Sequence, residues 1–113
     1  GPGAAHVFLE WTETYATLEP IIQRVIEGEN VEAPDLGRQY FVCQSLVERM
    51  RYATTKEKPR LAGRVLDYAL SMKKSNAEMG GIMLRSAFIA DKDSIKGHSL
   101  FEKVLVSFAR FIT

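Results

Sequence analysis

Apolar residues recur along this chain at steps of three and four, the spacing of one face of an α-helix, and nowhere alternate as they would in a strand. The first such stretch covers residues 5–27. Val7, Trp11, Tyr15, Leu18, Ile22 and Val25 follow one another at steps of 4, 4, 3, 4 and 3. Pro20 falls inside it, and a proline in a helix interior removes a hydrogen bond. The stretch is therefore expected to kink near Thr17 or to divide into two short helices. Gly28 is the expected stop, and residues 28–34 read as a loop.

Asp35 stands where an N-cap should. Leu36, Tyr40, Cys43, Val47 and Met50 then form a second stripe, widened by Leu46 and ending near Ala53. Three Ser/Thr-x-x-Glu boxes follow, each with a hydroxyl for the N3 amide and a carboxylate for the cap's own amide. Thr54 with Glu57 opens a third helix carrying Leu61, Ala62, Val65, Leu66, Ala69, Leu70 and Met72. Ser75 with Glu78 opens a fourth, apolar on nearly every side and so expected to be central. Its Gly80-Gly81 pair disfavours helix by about 1 kcal/mol per residue against alanine. Either the pair lets a neighbouring helix come close, or the helix begins after it. Asp91 to His98 reads as a polar loop. Ser99 with Glu102 opens a last helix running to Ile112, broad in its apolar face, with Val106 and Ala109 adding to Phe101, Val104, Leu105, Phe108 and Phe111. The pattern predicts an all-α fold: a compact antiparallel bundle of about five helices, the first kinked or split near Pro20.

Length and composition narrow the setting. The 113 residues fit one domain. Gly1-Pro2 resembles a protease-cleavage scar, so residues 1–3 are set aside and 4–113 are read as a single helical domain excised from a longer polypeptide. No apolar run reaches the ~18–20 residues of a membrane span. With one cysteine there is no intrachain disulfide, which points to an intracellular setting, cytoplasm and nucleus being equivalent on this ground.

The chemistry-bearing residues do not assemble into a site. Cys43 lies in the apolar stripe of the second helix, where free cysteine behaves as a small hydrophobe. His98 reads as a loop residue, and His6 is near the cleavage scar. Two histidines and one cysteine so far apart have no zinc-ligand spacing. The stretch Asp91-Lys92-Asp93-Ser94-Ile95-Lys96-Gly97 fails as a calcium loop, because Ile95 and Lys96 occupy positions that need an oxygen ligand and a glycine. No phosphate-binding glycine motif is present. The chain is therefore expected to be non-catalytic, without metal or cofactor.

Charge is uneven although the total is only +1. Residues 1–45 carry 2 basic and 7 acidic side chains, whereas residues 46–75 carry 8 basic and 3 acidic. Arg49, Arg51, Lys56, Lys58, Arg60, Arg64, Lys73 and Lys74 form the basic candidate for partner binding, with Lys56, Arg60 and Arg64 one turn apart. Those charges either face a partner or meet the acidic first segment within the fold. Trp11, Phe101, Val104 and Phe108 form the apolar candidate, since aromatics anchor interfaces. The function these features suggest is protein–protein interaction, as an adaptor or oligomerisation domain of a larger intracellular protein, its partner another protein or a second copy. The alternative is a nucleic-acid-binding domain using residues 49–74.

Overall fold

The computed structural model describes residues 16–112. Among these residues all regular structure is helical, and there are seven helices where the stripes predict about five. They are α1 (residues 16–26), α2 (Leu36–Arg51), α3 (Lys58–Ser71), α4 (Lys73–Ala90), α5 (Lys92–Lys96), α6 (Phe101–Ser107) and α7 (Ala109–Ile112). Helices α2, α3 and α4 pack on one another as the central group, and α5, α6 and α7 close over α3 and α4.

Helix α1 continues through Pro20, so the described part has no break there. The side of the expected kink that precedes Ala16, and Trp11 with it, lies outside the described residues. The stop is at Gly28, whose φ is +104°. Gly28 N–H donates to Val25 O and Glu29 N–H to Arg24 O, both at 3.0 Å. This pair of bonds satisfies the last carbonyls and requires a left-handed residue, which glycine supplies without a Cβ penalty.

Helix α2 begins at Asp35 as expected, its carboxylate accepting from Arg38 N–H at 2.8 Å. That bond holds the Asp35 carboxyl below its ordinary value. The buried stripe is turned relative to the one read from the sequence. Cys43, Leu46, Val47 and Met50 are buried, but Leu36 is 63% exposed and Tyr40 47%. Val42 and Gln39 are buried in their place. Gln39 is near the phenol of Tyr68 on α3, whose O–H donates to Val31 O at 2.9 Å. Burial pushes the Tyr68 phenol up to about 12, so it stays a donor.

The three boxes differ in outcome. At the first, the Thr54 hydroxyl accepts from Glu57 N–H at 3.3 Å, but the Glu57 carboxylate turns to Arg60 at 2.8 Å instead of back to the cap. At the second, the cap is Asn76 and not Ser75. Asn76 has non-helical φ/ψ of −157° and 77°, and its Oδ1 accepts from Met79 N–H at 3.2 Å. Asparagine ranks with serine as an N-cap, and the chain here uses the second of two adjacent candidates. At the third, no side chain caps α6; His98 Nδ1 accepts from Leu100 N–H at 3.1 Å, one residue before the helix.

Two further corrections concern the C-terminal third. The expected polar loop contains α5, because Asp91 caps it through Ser94 N–H at 3.3 Å and Ile95 is fully buried beneath it. The last helix divides at Phe108, which has φ −120° and ψ 17° and is wholly buried. The glycine pair explains that division. A Cβ on Gly80 would lie 2.7 Å from Phe108 Cε1 and 3.0 Å from Ala69 O, and one on Gly81 would lie 2.7 Å from Phe111 Cβ. Gly80-Gly81 is thus a bare patch of α4 on which two phenylalanines sit, the first of the two readings of that pair.

Candidate functional site

The basic stretch is largely engaged within the fold. Arg49 on α2 donates from one nitrogen to both carboxylate oxygens of Glu19 on α1, each at 2.6 Å. Lys58 binds Asp91 Oδ2 at 2.6 Å and donates to Arg51 O at 3.1 Å, joining the end of α2 to the cap of α5. Arg60 pairs with Glu57 and reaches Ile26 O at 3.3 Å. Arg51 is 3.8 Å from Glu48 and stacks its guanidinium over Tyr52. Arg64 lies against Gly28. Lys56, Lys73 and Lys74 are exposed, with no ion pair among the described residues. Lys56 falls in the turn before α3, so only Arg60 and Arg64 of the expected row stand on that helix. Lys73 and Lys74 are beyond its other end, roughly 20 Å away at helical rise.

Of the apolar candidates, Val104 and Phe108 are wholly buried and serve the core. Phe101 is half-buried at the rim of a groove. That groove, about 600 Å³, runs between α4 and α6 and is lined by Leu84, Arg85, Phe88, Ile89, Lys96, Phe101 and Leu105. It follows from the local sequence. Gly80 seats Phe108 and Gly81 seats Phe111, so the C-terminal segment is pinned across α4 at its middle. On α6, Val104 and Phe108 then point inward, which turns Phe101 and Leu105 toward the free flank of α4. The two flanks meet through stacked rings: Phe88 and Phe101 have centroids 6.2 Å apart and planes at 20°.

On α4 the outward positions are Ile82, Arg85 and Ile89, one helix face. Helix α4 is therefore central but not enclosed: Ile89 is 77% exposed, against the burial expected of a helix apolar all round. Val106, on the outer side of α6, is 78% exposed. The apolar surplus expected of the last helix is thus present, carried by Leu105 and Val106.

A second groove of about 670 Å³ follows α2, lined by Tyr40, Phe41, Gln44, Ser45, Glu48, Arg49 and Tyr52. It holds Glu48 and Arg49, the latter bound to Glu19.

Cys43 and His98 line neither groove. Cys43 is fully buried, its Sγ 3.8 Å from Met72 Sδ, and burial pushes the thiol up to about 12. A thiol held so far from its thiolate is a poor nucleophile. The His98 ring spans α3 and α6, with Nδ1 on the Leu100 amide and Nε2 at the bare Cα of Gly63. Among the described residues no group of three His, Cys, Asp or Glu side chains is placed to hold a metal ion, and no helix is long and apolar enough to cross a membrane. No protein-family model, no curated protein and no solved structure matches the chain.

Proposed function

We propose that this chain is a non-catalytic protein–protein interaction domain, acting as an adaptor or oligomerisation module of a larger intracellular protein. The observation that supports it is the α4–α6 groove, where apolar side chains of two helices stay open to solvent although the core beside them is complete. Exposed apolar side chains gathered in one place mark interaction surfaces, whereas single ones scattered over a surface are ordinary.

The nucleic-acid alternative rests on the basic stretch. Arg49, Arg51, Lys58 and Arg60 each have a carboxylate partner in the fold. A side chain so engaged must exchange that partner for a phosphate, which lowers the gain on binding. The protein-partner reading is favoured for that reason.

The test combines sedimentation of the domain over a wide concentration range with proximity crosslinking to partners in cells expressing the full chain. The reading expects self-association or a reproducible protein partner. A domain that stays monomeric and crosslinks to nothing overturns it. Salt-dependent retention on duplex DNA or RNA, abolished by Lys56→Glu with Lys73→Glu, would replace it with the alternative.

A further inference from the structure

The α4–α6 groove has a charge character that the apolar reading alone does not use. Its rim is cationic. Arg85 stands between Ile82 and Ile89 on the outward face of α4, and Lys96 closes the groove from the end of α5. Lys92 extends its ammonium over the Phe88 ring, 5.7 Å from the centroid. These three cations have no carboxylate partner among the described residues, whereas Arg49, Lys58 and Arg60 are all paired. Arg85, Lys92 and Lys96 thus bring three unpaired positive charges to a groove whose floor is apolar.

We infer that this groove binds an amphipathic helix of a partner protein, apolar on the face that enters and acidic along its edges; the inference rests on the protein-interaction reading above. Three features set the occupant. The floor is made of Leu84 and Phe88, with Phe101 at the rim; these take apolar side chains and offer no row of backbone donors for an added strand. The α4 wall of the groove runs from Leu84 to Ile89, five steps or about 7.5 Å at helical rise. That length matches anchors at i and i+3 or i+4 on a guest helix laid alongside. The rim of Arg85, Lys92 and Lys96 then faces the flanks of the guest, where carboxylates gain and ammonium groups are repelled. A membrane surface shares the apolar and anionic chemistry, but Leu84 is buried at the groove floor, where a planar bilayer does not reach. A second copy of this chain is the other occupant the test distinguishes.

The experiment selects peptides of about 16 residues, roughly four helical turns, from an unbiased display library against the folded domain. Winners are then titrated by fluorescence anisotropy. The expected winners carry helical apolar spacing and net negative charge. Their affinity falls about tenfold or more on Ile89→Asp, which removes an anchor from a solvent-exposed position. Arg85→Glu with Lys96→Glu weakens acidic winners and admits versions with lysine in place of each acid, while circular dichroism of both variants stays unchanged. Winners without acidic enrichment, or winners unaffected by both variants, overturn the groove assignment. So does binding to phosphatidylserine vesicles with no peptide selected, or a dimer that Ile89→Asp dissociates. If a cellular partner is still crosslinked after Ile89→Asp, the interaction reading stands and only the groove assignment fails.

Discussion

Replacing Gly80 by alanine sets two opposing effects against each other. In an exposed helix interior the change stabilises by about 1 kcal/mol, because glycine loses more backbone freedom on folding. At Gly80 the added methyl would lie 2.7 and 2.8 Å from two ring carbons of Phe108 and 3.0 Å from Ala69 O. Carbon contacts settle near ~3.5 Å or beyond, so the ring must retreat by about 0.8 Å. Phe108 is wholly buried and the Ala69 carbonyl is backbone, so neither has open space to move into. Overpacking of this kind costs about 1–3 kcal/mol. The net expectation is destabilisation by about 1–2 kcal/mol, against the sign of helix propensity. Gly37 provides the control. A methyl there meets only Asp35 Oδ1, at 3.5 Å, so Gly37→Ala is expected to stabilise by about 0.5–1 kcal/mol. Urea unfolding followed by circular dichroism measures both. Phe108→Leu in the Gly80→Ala background is expected to recover about 1 kcal/mol relative to additivity. If Gly80→Ala stabilises, or the double variant is additive, the seat proposed for Phe108 is wrong, and so is the account of how α6 is placed.

Asn76→Ala is expected to cost about 1 kcal/mol and Ser75→Ala almost nothing, because only Asn76 caps the part of α4 that follows its non-helical break; urea titration separates them. Asp91 is held below the ordinary carboxylate value first by its hydrogen bond to Lys58. A depressed carboxylate contributes stability above its unfolded value and loses it as pH falls through the folded one. Lys58→Met is therefore expected to destabilise by about 1 kcal/mol at neutral pH, with the difference closing as pH falls below the ordinary carboxylate range in thermal melts. A difference that persists in acid would assign the effect to packing of the lysine stem. The Cys43 thiol is expected to resist a disulfide reagent at pH 8 in buffer and to react at once in denaturant. Rapid labelling of the native protein would mean that the core around Met72 opens.

Much of the fold is legible in the sequence because its signals are local. The steps of three and four place α2, α3 and α4, and Gly28 ends α1 by a left-handed turn that few other residues accept. What was not legible depends on distant partners. The buried face of α2 takes in Gln39 and Val42 and leaves Leu36 and Tyr40 exposed, a rotation set by the helices packed against it. Asn76 displaced Ser75 as a cap by a shift of one residue, a choice local chemistry leaves nearly even. Phe108 breaks the last helix because Gly80 offers it a seat on another helix, an event 28 positions away in sequence. The groove is of the same kind. The surplus of apolar residues on the last helix was readable, but its meeting with Ile89 and Phe88, and the unpaired cations around it, required the packed helices.

The most direct test of the interaction reading is a methyl-region NMR titration of the domain with a selected acidic amphipathic peptide. The account predicts shifts concentrated at the methyl groups of Leu84, Ile89 and Leu105, with those of Val42, Leu46 and Val65 in the core little changed. Shifts confined to the side of Leu36 on α2, or none at saturating peptide, would contradict it.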